Sequence, residues 1–328
     1  MLFISRPNNY LFIQKKYKDI WLYCINMSVR YILVTIEDPS VRVPRVLEDY
    51  IYSLNIISDV IHLNELSLER ITSTTDIFII TQMWLNTVSV PKQFIETGRL
   101  VYLNVEMLTE LKRMNQVIEL AQSGIKIADY SRSNLSYLRA YIKDKDIVID
   151  NLMGYYLPYQ YNLRDQVQLA NIDGVYNYDV GVINAVIKRD ASVNSELTYR
   201  RVKLWEQLQT SGLKCINILG WGAERDELLK RCKVIINVHH FECFNIFEQI
   251  RCDRLVFAKK IVVSDKSVFT EKYDLVGNVL WEEFDNIIPR TKEVIQNFAK
   301  YDGIMQSLSM DQVIQNRRVE LADTLKTL

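Results

Sequence analysis

Short apolar runs and longer amphipathic segments alternate along most of the chain. The runs carry Val, Ile and Leu at successive positions, which is typical of strands buried on both faces of a parallel sheet. In the first half, the predicted strands are Tyr31–Ile36, Ile56–His62, Asp76–Thr81, Leu100–Leu103, Ile125–Ala128 and Asp146–Ile149. The segments with helical periodicity between them are Pro44–Leu54, Leu66–Ile71, Pro91–Glu96, Glu106–Gln122 and Ser133–Ile142. This alternation predicts an α/β domain with a doubly wound parallel sheet.

A second series of the same kind begins at Asp179, after a turn-rich aromatic stretch and the polar segment Arg164–Asn177. Its predicted strands are Val180–Ile187, Lys214–Leu219, Val234–Val238, Lys260–Ser264 and a short one around Asn278–Leu280. Its predicted helices are Leu197–Gln209, Glu224–Arg231 and Asn245–Phe257, followed by Thr291–Lys300 and Asp311–Leu325. We therefore predict two facing Rossmann-like domains, 27–165 and 166–290. An extension, 1–26, precedes them, and the C-terminal helices, 291–328, are free to cross back to the first domain.

Composition and charge narrow the class of protein. Lys and Arg together number 40, as do Asp and Glu, so the formal net charge is zero. This balance argues against a protein that wraps nucleic acid or lies on anionic lipid, and we expect no nucleic-acid partner. No apolar run approaches the roughly 18 residues of a membrane span, and residues 1–26 lack the apolar core of a signal peptide. The five cysteines form no C-x-x-C pair, which is typical of reduced thiols in a cytoplasmic protein.

Polar residues gather after the predicted strands of the first domain, where ligands of parallel α/β sheets bind. They include Glu37 and Asp38 after the first strand, Asn104 and Glu106 after the fourth, and Asp129 after the fifth. These carboxylates and amides suit contact with a polar acceptor molecule. A second explanation of Asn104 and Glu106 is capping of the helix ahead of Met107–Gln122.

The strand ends of the second domain carry glycines, arginines and histidines. Gly220 and Gly222 allow close approach of the backbone to an anion at a helix start, although a plain tight turn explains them equally well. The third glycine of a dinucleotide fingerprint is missing, so NAD is not expected. Arg200 and Arg201 suit phosphate oxygens, and the alternative is a solvated basic face.

Two of the three histidines, His239 and His240, are adjacent at the end of a predicted strand. On a continued strand they would point in opposite directions, so at most one faces a ligand. Adjacent residues make poor metal ligands, and no third ligand is suitably spaced, so no metal site is expected. The chain has no G-x-S-x-G, which leaves a serine hydrolase without support.

Several elements occur together in an order that resembles GT-B-type glycosyltransferases. They are Leu103-Asn-Val-Glu-Met, Tyr199-Arg-Arg, Gly220-Trp-Gly, Ile236-Asn-Val-His-His-Phe-Glu, Phe247-Glu-Gln-Ile-Arg and Val262-Val-Ser-Asp. The most similar group is an uncharacterised branch found in bacterial and viral polysaccharide loci, similar to spore-maturation-type glycosyltransferases. The likeness spans about residues 30–285. It implies a GT-B-like pair of domains that transfers a hexosyl or pentosyl group without a cofactor or metal. The second domain would hold the nucleotide-sugar donor, and the first would hold the glycan or glycoconjugate acceptor.

The resemblance also implies roles for individual residues. Glu248 takes the place of the glutamate that binds the ribose hydroxyls, and Glu242 takes that of the carboxylate near the transferred sugar. Five residues separate the two glutamates, fewer than in the better-known retaining pattern, and Asp265 stands where that family has a glutamate. The diphosphate would be bound by Arg200, Arg201, Arg251 and the main-chain N–H groups of Gly220 and Gly222. His239 would contact the β-phosphate or the donor sugar.

The stereochemistry of transfer stays open at this point. If the reaction inverts configuration, a first-domain carboxylate such as Glu106 is the base, with Asp38, Asn104 and Asp129 on the acceptor side. If it retains configuration, which the sequence slightly favours, Glu242 or His239 contacts the sugar. Two other functions fit the same architecture: a nucleotide-sugar epimerase, and a catalytically degenerate scaffold that acts as a binding subunit.

Overall fold

A computed structural model describes residues 29–35, 47–81, 92–149, 154–183, 199–220, 222–239 and 245–328. The described part contains two parallel sheets covered by helices, which confirms the predicted α/β class. The first sheet with its helices is called the first lobe below, and the second sheet with its helices the second lobe.

The first lobe has six parallel strands in the order β2-β1-β3-β4-β5-β6. Its elements in chain order are β1 (Tyr31–Thr35), α1 (Glu48–Leu54), β2 (Ile57–His62), α2 (Leu68–Thr72), β3 (Ile77–Thr81), α3 (Lys92–Ile95), β4 (Leu100–Asn104), α4 (Leu111–Gln122), β5 (Lys126–Asp129), α5 (Arg132–Asp144) and β6 (Gly154–Tyr156). Strands β1, β3 and β4 are buried along almost their whole length, because helices cover both faces of the sheet.

The predicted strand Asp146–Ile149 is wrong, and the sixth strand is β6 instead. Asp146 has a φ of 49°, and the main-chain N–H of Ile147 donates to the carbonyl of Ile142 at 3.0 Å. These features turn the chain back at the end of α5. Ile147 and Ile149 pack against the helix-covered face of the sheet as partly buried residues. Val148, between them, is exposed, so this apolar run packs as an irregular segment, which the apolar pattern alone does not distinguish from a strand.

The second lobe has five parallel strands in the order β11-β10-β9-β7-β8. A helix that the sequence analysis did not predict, α6 (Leu163–Leu169), overlaps the polar segment Arg164–Asn177. The elements that follow it are β7 (Tyr178–Ile183), α7 (Tyr199–Thr210), β8 (Cys215–Ile218), α8 (Gly222–Lys230), β9 (Cys232–Asn237), α9 (Gln249–Phe257), β10 (Ile261–Asp265) and β11 (Leu280–Glu282). If β7 is counted as the first strand and the sheet is read from the β8 edge, the order is 2-1-3-4-5. The first five strands of the first lobe have the same order. Both sheets are therefore doubly wound, with the direction of winding reversing beside the first strand of each.

The two lobes share one apolar core. A single cluster of buried side chains includes Leu33 and Val101 of the first sheet together with Ile235 and Val262 of the second. Two further clusters cover the opposite faces of the two sheets.

The C-terminal helices are α10 (Ile287–Gln296), α11 (Phe298–Ser307) and α12 (Asp311–Thr327). Helix α12 returns to the first lobe, where Tyr31 Oη donates to the carbonyl of Leu325 at 2.9 Å and Thr324 Oγ1 donates to that of Tyr156 at 3.2 Å. The domain boundaries at residues 165 and 290 stay predictions. None of the helices in the described ranges is long and apolar enough to cross a bilayer.

Candidate functional site

A crevice opens where the carboxyl ends of strands from both sheets meet. Glu106 and Tyr130 follow β4 and β5 on one side, and Ile183 ends β7 on the other. The space measures about 890 Å³, part of it open to solvent. Its lining residues are Leu47, Asp49, Val105, Glu106, Met107, Tyr130, Ile183, Arg225, Leu229, Glu248, Ile250, Arg251 and Arg254. This is the place where doubly wound α/β proteins bind ligands.

Glu248 stands immediately before α9 and is held by two arginines. Its Oε1 accepts from Arg201 Nη2 at 2.8 Å, and its Oε2 forms an ion pair with Arg251. Arg201 also donates through Nε to the carbonyl of Val238 at 3.0 Å and is buried. Burial lowers the pKa of the Arg201 guanidinium, which the charge of Glu248 opposes. The predicted partners Arg201, Glu248 and Arg251 thus come together. Glu248 and Arg251 line the crevice, and Arg201 lies behind Glu248.

Arg200 points toward the end of β10 rather than into water. Its Nη2 donates to Asp265 Oδ2 at 2.8 Å, and its guanidinium lies 4.4 Å from the ring centre of Phe284. The side chains of Arg200 and Arg201 are 21% and 8% exposed. The alternative of a solvated basic face is therefore wrong for this pair.

His239 is fully enclosed at the end of β9. Its Nδ1 lies 2.8 Å from Asp265 Oδ1, and its Nε2 lies 3.0 Å from Ser267 Oγ. Its main-chain N–H also donates to Asp265 at 3.2 Å. With both ring nitrogens bonded, His239 can reach a bound molecule only through Ser267.

Asn104 and Asp129, predicted on the acceptor side, are buried together beneath the crevice wall. Asn104 Nδ2 donates to Asp129 Oδ2 at 2.6 Å and to the carbonyl of Glu106 at 2.8 Å. Asn134 Nδ2 donates to the same carbonyl at 2.8 Å, and Ser131 donates its main-chain N–H to Asp129 at 2.7 Å. Burial raises the pKa of Asp129 to about 8, although the hydrogen bonds that its carboxyl group accepts act to lower this pKa. The network fixes the backbone at Glu106, so Asn104 and Asp129 are placed to position Glu106.

The capping alternative for Asn104 and Glu106 is wrong, because α4 begins only at Leu111 and its N-cap is Glu110. Glu106 instead lines the crevice. Burial raises the pKa of its carboxyl group, the positive charge of Arg113 lowers it, and the negative charge of Glu248 across the crevice raises it further. A carboxyl group with a raised pKa in a crevice is a candidate for proton transfer to or from a bound molecule.

Two crevice arginines, Arg225 and Arg254, were not predicted from the sequence. Arg254 donates through Nη1 to Asp226 Oδ1 at 2.7 Å and through Nη2 to Asp226 Oδ2 at 2.9 Å. Arg225 Nε also donates to Asp226 Oδ1, at 3.0 Å. Asp49 on α1 of the first lobe accepts from Arg225 Nη2 at 2.5 Å and lies 3.1 Å from Arg254 Nη1. The spacing of Arg251 and Arg254, three residues apart on one helix, is the signal that could have identified Arg254.

Gly220 and Gly222 flank the start of α8 with φ values of 88° and 69°. Glycine adopts this left-handed region without the strain that a side chain imposes. Nothing lies within 4 Å of the position that a Cβ atom would occupy at either residue. Both the tight turn and the predicted anion contact remain compatible with this geometry.

Four predicted residues, Glu37, Asp38, His240 and Glu242, lie outside the described residues. Within the described ranges, no three or more His, Cys, Asp or Glu side chains are grouped so as to hold a metal ion. The predicted independence from metal stays a prediction.

No family model matches the chain. Over 217 residues the chain is 26% identical to uncharacterized protein L138 of Acanthamoeba polyphaga mimivirus, a match that covers 65% of this chain and 22% of that protein. Over 202 residues it is 31% identical to uncharacterized protein L137 of the same virus, covering 60% of this chain and 25% of that protein. The match thus spans about a quarter of the length of these relatives.

Among solved structures, the fold overlaps with T4 phage BGT in complex with UDP-glucose. The TM-score is 0.49 and the identity 12%, over 92% of this chain and 99% of that chain. The complex of T4 phage BGT with UDP and Mn²⁺ gives a TM-score of 0.46 at the same identity and coverage. An alpha-glucosyltransferase in complex with UDP-glucose and DNA containing an abasic site gives 0.43 at 12% identity, over 91% of this chain and 95% of that chain. Overlap at this level assigns neither a donor nor an acceptor to this chain.

Proposed function

We propose that this protein is a glycosyltransferase that moves a sugar from a nucleotide-sugar donor to a hydroxyl group of a glycan or glycoconjugate. The observation that carries the proposal is the crevice between the lobes. There Glu248, held by Arg201 and Arg251, faces Glu106 of the other lobe. A nucleotide binds naturally beside the point where a doubly wound sheet reverses direction, and Ile183 of β7 lines the crevice at that point of the second sheet.

In the proposed complex, the second lobe holds the donor. An ionised carboxylate offers about four lone-pair sites, so Glu248 can accept from the ribose hydroxyls while it remains bonded to its two arginines. The three arginines that line the crevice, Arg225, Arg251 and Arg254, bind the diphosphate. Arg201 holds Glu248 in place, and Arg200 holds Asp265.

In the proposed reaction, the bond between the anomeric carbon and the diphosphate oxygen breaks as the acceptor oxygen bonds to that carbon. The fixed arginines stabilise the negative charge that develops on the diphosphate, which is why the proposal includes no metal. Glu106 takes the proton of the acceptor hydroxyl, and its raised pKa suits that task. Attack assisted by this base, on the face opposite the diphosphate, inverts the configuration of the sugar.

The first test is a melting-temperature screen with UDP-, GDP- and dTDP-sugars, since a ligand that binds only the folded state raises the melting temperature. Product analysis follows with the sugar that gives a shift, in the presence and absence of EDTA. Release of the nucleoside diphosphate together with a new glycoside supports transfer. An isomerised nucleotide sugar would identify an epimerase instead, and no shift with any donor would contradict the proposal.

The donor contact is tested by Glu248→Gln, which keeps the size of the side chain and removes its charge. We expect the Kd for the donor to rise by about 10- to 100-fold, because a hydrogen bond to a charged group contributes about 1.5–3 kcal/mol. The matched control is Glu227→Gln, which changes an exposed glutamate of α8 that forms ion pairs with Lys230 and Arg231 of the same lobe. Equal donor affinity in Glu248→Gln and Glu227→Gln would contradict the assignment of Glu248.

A further inference from the structure

A chain of three hydrogen-bonded side chains lies at the ends of β9 and β10. Ser267 Oγ is 3.0 Å from His239 Nε2, and His239 Nδ1 is 2.8 Å from Asp265 Oδ1. His239 and Asp265 are each 1% exposed, whereas Ser267 is half-buried at the outer end. The accessible member of the chain is therefore the serine hydroxyl.

The partners of Asp265 fix the direction of these hydrogen bonds. Asp265 also accepts from Arg200 Nη2 at 2.8 Å and from the main-chain N–H of His239, so its carboxylate cannot turn away from the imidazole. A carboxylate has no proton to donate, so His239 Nδ1 carries the hydrogen. In the neutral ring, Nε2 is then the acceptor of the Ser267 hydroxyl proton. This division of roles is that of a Ser-His-Asp nucleophile, which is recognised by geometry and not by sequence position.

The backbone around Ser267 is held firmly on both sides. The N–H of Lys266 donates to the carbonyl of Glu282 at 2.9 Å, and that of Val268 donates to the carbonyl of Asn245 at 2.8 Å. Two residues on, Phe269 has a φ of 55°, in the left-handed region that costs a residue with a side chain about 1–3 kcal/mol.

The strained residue is also tied to the other lobe. Ser133 Oγ, at the start of α5, donates to the carbonyl of Phe269 at 3.0 Å, and the ring of Tyr137 packs edge-on against the Phe269 ring. Strain that is retained by contacts from two lobes is typical of functional loops. Ser267 thus lies in a fixed loop beside the junction of the lobes.

We propose that Ser267 is an activated nucleophile and that this chain accepts acyl groups from activated carboxylic esters at Ser267. Ser267 Oγ bonds to the acyl carbon while its proton passes to His239 Nε2. The ester C–O bond then breaks, and the alcohol leaves with that proton. Water, which gives a proton to His239, later attacks the acyl carbon, releases the carboxylic acid and restores Ser267.

Acylation by an activated ester is expected to outpace turnover. The N–H groups of Lys266 and Val268 are both bonded to carbonyl oxygens, so neither stabilises the tetrahedral oxyanion of acylation or of hydrolysis. Acylation expels the activated alcohol of the ester, which is a much better leaving group than the serine alkoxide that hydrolysis must expel. The acyl-serine is therefore expected to accumulate. This activity does not depend on the proposed glycosyl transfer, because the ester contains neither nucleotide nor sugar.

The test uses the full chain with p-nitrophenyl acetate and, separately, with a fluorophosphonate probe. We expect a burst of about one p-nitrophenol per protein molecule, since the slow step follows acylation. We also expect mass-spectrometric localisation of the probe to Ser267. Ser267→Ala should abolish both signals. The control Ser309→Ala removes an exposed serine whose hydroxyl bonds to Asp311, and it should react like the wild type.

The role of His239 is tested by His239→Gln, which should slow labelling of Ser267 at least 100-fold, since general-base assistance contributes roughly 100- to 10,000-fold. If this variant fails to fold, the comparison of wild type with Ser267→Ala still decides the proposal. A wild-type protein that incorporates no more probe than Ser267→Ala, or that carries the probe elsewhere, would overturn it.

Discussion

At the scale of single residues, burial and neighbouring charges have opposing effects on the pKa of the Glu106 carboxyl group. Burial and the charge of Glu248 raise its pKa, the charge of Arg113 lowers it, and the net result is an increase. A base must be ionised to accept a proton, so kcat/KM should fall as the pH drops through this raised pKa. We expect the acid limb of the pH profile to lie above the ordinary glutamate pKa of about 4.3.

Substitution tests the same assignment. Glu106→Gln should lower kcat by about 100- to 10,000-fold, the usual contribution of a general base, while the donor Kd changes little. The control is Glu119→Gln, an exposed glutamate near the end of α4. A Glu106→Gln enzyme with the kcat of Glu119→Gln would show that another group accepts the proton.

The sequence located several site residues but could not say which way they face. Glu106 follows a recognisable strand end, Glu248 and Arg251 belong to the element Phe247-Glu-Gln-Ile-Arg, and all three line the crevice. Asn104 and Asp129 also follow strand ends, yet a polar side chain there can turn inward and bind its neighbours, as these two do. The choice depends on contacts between distant segments, which local sequence does not reveal.

The same limit applies to residues that only the fold brings together. Ser267 meets His239 because β9 and β10 are adjacent, although 28 positions separate the two in the sequence. Arg225 meets Asp49 across 176 positions. Neither pair has a local signature that could mark it as part of a site.

At the scale of elements, the segment between β4 and α4 is held by buried polar groups in addition to the buried apolar side chains of Val105 and Leu108. Asp129 is the centre of that network and has a pKa of about 8 because of burial. The unfolded chain loses this proton near pH 4, so the folded state binds more protons between about pH 4 and about 8. The free energy of unfolding should therefore fall with rising pH in this window, by up to about 1.4 kcal/mol per pH unit.

Asp129→Asn should remove this contribution, because an amide does not titrate in the window. The variant will be less stable than the wild type at pH 5, since its NH₂ group must face a hydrogen-bond donor, Asn104 or Ser131. The difference should shrink as the pH rises to 7.5. Urea unfolding at the two pH values measures it, with the exposed Asp323→Asn as control. Parallel pH dependences in wild type and Asp129→Asn would contradict the raised pKa.

Element types were easier to predict than element ends. Apart from β6, the strands of both sheets match the predicted apolar runs to within a few residues, because strands buried on both faces require continuous apolar sequence. Helix α4 starts five residues later than predicted, at Leu111, since hydrogen bonds from Asn104 and Asn134 hold the preceding backbone in a non-helical loop. Helical periodicity does not report such side-chain contacts.

At the scale of the whole molecule, Arg317 on α12 links segments from both lobes. Its Nη1 donates to Asp253 of α9 at 2.7 Å and to the carbonyl of Tyr159, which follows the first sheet, at 2.9 Å. Its Nε and Nη2 bind both oxygens of Asp274, at 2.7 and 2.6 Å. The side chains of Arg317 and Asp253 are each 1% exposed, so the pair is shielded from water.

Arg317→Ala should lower the free energy of unfolding by about 3–5 kcal/mol, because it leaves the carboxylate of Asp253 buried without a counter-charge. Urea unfolding measures the loss, and the neighbouring Arg318→Ala, a half-buried arginine of the same helix, should cost less than about 1 kcal/mol. The double variant Arg317→Met/Asp253→Leu removes both charges and keeps apolar volume, so it should recover much of the stability. If the double variant is no more stable than Arg317→Ala, hydrogen bonds to Asp274 and Tyr159, rather than the buried charge pair, hold the two lobes to α12.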